Sequence, residues 1–193
     1  MKPAPGEKYT LRRKVFSFLG AKFHLYDSEG KVVGFCKQKA FKLKEDIRVY
    51  TDDSMSAELL RIAATKVIDF GASYTISLPD GSPLGSLRRK GLKSLLRDTW
   101  VVFDASGSQV ATLTEDSGMF AILRRAVDLF ALIVPQKFVL IRDGGEPVAT
   151  LRTHFNPFVY RLGITIHRDD PVVDELMVLA AACLVGAIEG RQG

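Results

Sequence analysis

The chain has 193 residues, 47% of them hydrophobic and 25% charged, enough to bury one sizeable core and too apolar for a disordered chain. With 27 Lys and Arg against 22 Asp and Glu it carries a formal charge of +5. This mild excess favours an anionic partner, a phospholipid surface or a nucleic acid, without choosing between them.

The opening residues MKPAPGEKYTLRRK have no apolar stretch of the secretory kind behind them, and residues 1–7 read as a flexible tail on a single domain spanning 1–193. Leu11–Phe18 reads as a strand, preceded by no recognisable catalytic motif. From Phe23 the chain enters a pattern that recurs four times without a gap: FHLYDSEGKVVGFC, YTISLPDGSPLGSL from Tyr74, WVVFDASGSQVATL from Trp100 and FVLIRDGGEPVATL from Phe138. Each copy opens on an aromatic residue and has a glycine seven positions on, at Gly30, Gly81, Gly107 and Gly145. An apolar residue follows at offset ten, a small one at offset eleven (Gly34, Gly85, Ala111, Ala149) and an apolar one at offset thirteen. Physically this is strand, tight turn, strand, with glycine supplying the positive φ and even offsets pointing to one face. The small residue at offset eleven predicts a crowded inner wall. Four hairpins require at least eight strands.

Between the first two hairpins, Phe41–Lys44 and Ile47–Thr51 read as strands. Leu59–Phe70 is ambiguous, because positions 59, 60, 63, 64, 67 and 68 suit a helix while its place between hairpins suits a strand. The second hairpin runs into five cations within ten residues: Arg88, Arg89, Lys90, Lys93 and Arg97. They form the candidate site for a phosphate head group, Arg offering forked hydrogen bonds and Lys a point charge. The competing reading is a solvated outer face, and strict alternation would put Arg88 and Arg89 on opposite sides of the sheet. Arg12, Arg13 and Lys14 form a second basic group, and Lys37, Lys39, Lys42 and Lys44 a looser third.

Met119–Val134, with only Arg124, Arg125 and Asp128 polar and Pro135 beyond it, predicts a helix on the outside or across one end of the sheet. It could pack on its own domain or lie in a membrane interface. Tyr160–Ile166 is a last strand. Asp170, Pro171 and Asp174–Glu175 then signal a helix start, Gly190 and Arg191 an end, and everything from Leu176 to Ile188 is apolar or glycine. A helix apolar all round is buried on all sides. These residues span about 20 Å, short of a bilayer core of about 30 Å, so the segment predicts a rod enclosed by the strands rather than a membrane anchor.

Chemistry-bearing motifs are sparse. Cys36 and Cys183 lie in apolar surroundings without zinc-ligand spacing and read as buried free thiols of an intracellular protein. His24, His154 and His167 stand singly, none as a base or metal ligand, with His24 out of phase with Phe23 and Leu25 and hence outward. No nucleophile elbow, phosphate-binding loop or dinucleotide fingerprint occurs, so no catalytic residue, metal or cofactor is assigned. Nucleic acid ranks below lipid, because no basic-aromatic recognition motif accompanies the charge.

The segment KVFSFLGAKFHLYDSEGKVVG, the hairpin ending GSLRRKGLKSLLRDTW, the FNPF stretch at Phe155–Phe158 and the terminal LAAACLVGAIEGRQ resemble the bacterial scramblase-like branch of the tubby C-terminal-like superfamily. That superfamily includes LURP-one-related proteins, phospholipid scramblases and tubby domains. The resemblance covers nearly the whole chain from Lys8. It implies a closed antiparallel barrel of twelve strands enclosing the hydrophobic C-terminal helix. It also implies a non-enzymatic domain binding an anionic membrane lipid head group, at the cytoplasmic face and peripheral to the membrane. Lipid movement of the scramblase kind and a protein-interaction scaffold are the alternatives. Animal scramblases carry an acidic calcium-binding stretch before their last helix. The matching region here, NPFVYRLGITIHR from Asn156, has no carboxylate. Asp169, Asp170, Asp174 and Glu175 beyond it read more simply as helix caps.

Overall fold

The computed structural model describes residues 3–14, 22–38, 46–66, 72–90, 99–116, 135–156 and 158–189. These form twelve strands and one helix. The strands are β1 (Tyr9–Lys14), β2 (Lys22–Asp27), β3 (Val32–Gln38), β4 (Asp46–Tyr50), β5 (Glu58–Lys66) and β6 (Ser73–Ser77). They continue as β7 (Pro83–Arg89), β8 (Thr99–Asp104), β9 (Gln109–Glu115), β10 (Lys137–Arg142), β11 (Pro147–His154) and β12 (Val159–Ile166), followed by helix α1 (Glu175–Glu189). Each strand pairs antiparallel with its neighbours in sequence, and β12 returns to pair with β1, closing the barrel. Closure leaves none of the twelve described strands with an edge open to pairing with another chain.

The fourfold repeat has a geometric cause. In every copy the turn glycine takes a positive φ, 86° at Gly30, 89° at Gly81, 84° at Gly107 and 94° at Gly145. Its N–H closes a turn onto the carbonyl three residues back, at 2.9–3.1 Å. Each hairpin also shifts register at the same place, after Leu25, Ile76, Val102 and Leu140. Leu25 faces Gly34 while Tyr26 faces Val32, so Val33, the residue at offset ten, is the bulge. The bulge moves the inward set of the second strand to the odd offsets. It is therefore the small residue at eleven and the apolar one at thirteen that face the core, a phase change that even-offset alternation misses.

The small residues stand where space runs out. A Cβ at Gly85 would press on the Phe103 carbonyl oxygen and stand 2.5 Å from Met177 Cε, and one at Gly34 would come within 3.3 Å of Leu25. Ala111 and Ala149 are fully buried. At Gly85 part of the crowding comes from α1, through Met177; at Gly34 it comes from the neighbouring strands. From Met177 to Ala187 no residue is more than 9% exposed. The helix packs against β1 and β12 on one side of the ring and β5 and β7 on the other, so it runs through the lumen. At Gly186 an added Cβ would lie 2.7 Å from Leu11 Cδ2, so the absent side chain lets the rod lie close to β1. Cys36 on β3 and Cys183 on α1 are both free and buried, and they share a hydrogen bond that, with burial, pushes the Cys36 thiol up.

Three sequence expectations resolve differently in detail. Leu59–Phe70 is strand over Glu58–Lys66, with Leu60, Ile62 and Ala64 in the core and half-buried Arg61 and Ala63 alternating with them. Helical spacing arises because both faces carry apolar residues. The cap of α1 is Asp174, whose Oδ1 accepts from the Met177 N–H at 2.8 Å. Asp170 instead caps the preceding turn, accepting from the Val172 and Val173 N–H groups at 3.0 Å, and Pro171 lies outside the helix. Met119–Val134, Phe41–Lys44 and Gly190 lie outside the described residues.

Two substitutions test this packing. Ala181→Asp puts an unpaired carboxylate against the barrel interior and is expected to abolish cooperative folding, visible as loss of a thermal transition. Gly85→Val is expected to destabilise the fold by about 2–3 kcal/mol in a denaturant titration, since neither a backbone carbonyl nor the enclosed Met177 can yield freely.

Candidate functional site

The barrel has two unlike poles. One gathers the four glycine turns and the start of α1; the other gathers the carboxyl ends of the odd-numbered strands, the start of each even-numbered strand and the end of α1.

At the turn pole three of the four acidic residues leading into α1, Asp170, Asp174 and Glu175, are committed. Asp170 accepts from Arg142 at 2.8 Å as well as from the two backbone N–H groups, and Arg168 adds a longer contact to Asp170 and pairs with Glu146. Glu175 accepts from Lys8 at 2.7 Å and from the Tyr9 hydroxyl. Asp174 is the helix cap. Among the described residues no group of three or more His, Cys, Asp or Glu is arranged to hold a metal ion. Burial pushes the Asp170 carboxyl up, but the Val173 and Val172 N–H groups and Arg142 outweigh it and hold it below the usual 3.8. For Glu175, burial again pushes up and the Lys8 and Tyr9 hydrogen bonds win, holding it below 4.5. Burial and the Glu175 contact raise the Tyr9 hydroxyl.

The opposite pole holds Arg88, Arg89 and Lys90 of the basic residues singled out in the sequence. Arg88 is exposed on the outer face, its guanidinium 4.9 Å from the Phe103 ring. Arg89, next in the chain, follows the inward phase of Leu87 and lies half-buried, 5.8 Å from the ring of Trp100 in the core. Lys90 is exposed and its backbone N–H bonds the Thr99 carbonyl at 2.9 Å. The cations therefore divide: Arg88 and Lys90 face out, and Arg89 sits at the rim of the lumen. Lys93 and Arg97 lie outside the described residues. Arg13 on β1 mirrors Arg89, 5.6 Å from the core ring of Phe23. Two arginines thus stand over core aromatics at the pole where the negative end of α1 emerges, a favourable place for cations.

The feature that residue-level reading missed is the β11–β12 connection. Phe155 is 55% and Phe158 71% exposed, the two most exposed large hydrophobic side chains among the described residues. Asn156 fixes the turn between them, its Oδ1 accepting from the Phe158 and Val159 N–H groups at 2.9 and 3.0 Å. Aromatics next to Asn-Pro signal a turn, but hydropathy alone assigns both rings to the core.

The histidines take local roles. His24 is half-buried on the outer face, packed on Phe35 at 5.1 Å. His154 pairs with Glu7, and His167 shares a hydrogen bond with Thr150 at 2.8 Å. No described helix is long and apolar enough to cross a membrane.

Asp170→Asn is expected to lower the unfolding free energy by roughly 2 kcal/mol at pH 7, because Arg142 and the turn lose a charged acceptor. Since the folded carboxyl titrates below its unfolded value, this contribution is complete above pH 3.8 and is lost as pH falls through the folded value. Denaturant titrations of variant and wild type should therefore converge in acid.

No curated protein matches the chain. A family model described as LURP-one-related matches residues 32–186, from the start of β3 into α1. With its closed barrel and enclosed helix, the chain belongs to the LURP-one-related family.

Proposed function

We propose that this protein is a non-enzymatic binding domain that docks reversibly on anionic membrane lipid through the pole bearing Phe155 and Phe158. The observation that carries the reading is the pairing of two exposed rings, on a turn fixed by Asn156, with exposed Arg88 and Lys90 at the same end of the barrel. An exposed phenylalanine forgoes roughly 1.5–3 kcal/mol of burial, which a hydrocarbon or interfacial environment returns. A cation near an anionic leaflet adds about 1 kcal/mol. Two rings and a few cations give weak, reversible attachment that is sensitive to salt. In this reading Arg88 and Lys90, with Lys93 and Arg97, meet head groups, and Arg89 closes the lumen beneath them.

Co-sedimentation with vesicles of phosphatidylcholine alone or mixed with phosphatidylglycerol, at low and high salt, tests the reading. Binding is expected to anionic vesicles, weakening as salt rises. Phe155→Ser with Phe158→Ser should reduce it at least tenfold, and Arg88→Glu with Lys90→Glu should remove the preference for anionic lipid. Absence of binding to every vesicle would dismiss lipid and leave a protein-interaction scaffold.

A further inference from the structure

The outer wall of β10, β11 and β12 carries a groove of about 800 Å³, closed on one side by Ala4, Pro5 and Glu7 of the N-terminal arm and on another by Pro135. The geometry points to a second ligand site here: a groove that binds a phosphate monoester, centred on Arg152 and lying four strands around the barrel from Arg88.

The polar lining is organised by strand register. Lys137 on β10 lies directly across from Arg152 on β11, and Arg152 directly across from Gly163 on β12. One step along the same face, Thr150 faces Thr165, and His167 bonds the Thr150 hydroxyl. Lys137, Arg152, Thr150, Thr165, His154 and His167 thus line one open volume.

Glu7, the carboxylate in the lining, is already neutralised. It is buried, accepts hydrogen bonds from the Ala4 N–H at 2.9 Å and the Thr10 hydroxyl at 3.1 Å, pairs with His154 and has Arg161 at 3.7 Å. Gly163 makes this possible, since a Cβ there would occupy the position of the Glu7 carboxylate. Glu7 also stands against a cross-strand row, His154–Arg161–Arg12, whose two adjacent guanidinium groups would otherwise repel. Its charge is therefore spent on that row and not on Arg152.

Arg152 is exposed and its side chain has no hydrogen bond or ion pair among the described residues. Lys137 is held by Asp116 at 2.6 Å, but both side chains are nearly half exposed, and such a pair is given up at little cost. A guanidinium fork, an ammonium and two hydroxyls supply more donors than the two oxygens of a carboxylate can take. The three terminal oxygens of a phosphate monoester match them. The volume suits a small phosphorylated metabolite or a lipid head group.

Titration of 15N-labelled protein with glycerol 3-phosphate, with inorganic phosphate and with uncharged glycerol tests the site. In a parallel arm, vesicles of phosphatidylcholine with or without phosphatidic acid are added. Saturable shifts are expected at the amides of Thr150, Arg152, Thr165 and His167 with the phosphate probes and none with glycerol. Arg152→Glu should weaken this binding at least tenfold while melting like wild type, with Arg152→Gln as the second variant should the charge reversal disturb folding. Arg88→Glu with Lys90→Glu should leave the response to the soluble phosphate probes intact, which separates this site from the pole. Response to the soluble esters identifies a free metabolite as the source; a response confined to phosphatidic acid vesicles and dependent on Arg152 identifies a head group. Failure of every phosphate probe, or Arg152 variants that bind like wild type, would overturn the proposal.

Discussion

Everything in this molecule is arranged around one constraint: a helix with no polar face must have no contact with water. From Met177 to Ala187 the rod offers only apolar side chains and Gly186, so a partner on one side would leave the other side wet. A closed ring of strands satisfies every side at once. The ring gains as well, because twelve strands around an empty lumen would enclose a void, and the rod fills it.

That mutual requirement accounts for details that look unrelated in the primary sequence. The small residues at offset eleven of the hairpins are the inner wall facing the rod or a neighbouring strand, as Gly85 against Met177 and Gly34 against Leu25 make plain. The recurring bulge sets those residues inward and bends the sheet into closure. The committed carboxylates of Asp170, Asp174 and Glu175 anchor the entry of the rod at the turn pole. Arg13 and Arg89 then cover core rings at its exit.

The architecture was legible because repetition encodes it. Four copies of one hairpin pattern specify eight strands, and the terminal segment's composition specifies its enclosure. The bulge was not legible, since a phase change within a hairpin looks like ordinary variation between apolar neighbours until register is known. Nor was the choice of Asp174 over Asp170 as the cap, because four carboxylates near a helix start satisfy the same spacing rules. The candidate site was harder still. Charge clustering found Arg88, Arg89 and Lys90, but alternation across the sheet assigns adjacent arginines to different environments. Phe155 and Phe158 were visible only as hydrophobic residues, and Arg152 with Thr150 and Thr165 come together only through pairing between β11 and β12. Surface function on a barrel is written across strands, where linear spacing does not reach.

Native-state hydrogen exchange of the helix amides tests the central claim most directly. Enclosure predicts that Leu179 to Ala187 exchange only through global unfolding, with protection equal to the whole stability of the fold and independent of any lipid. Exchange of those amides through local fraying, faster than that of the surrounding strands, would contradict it.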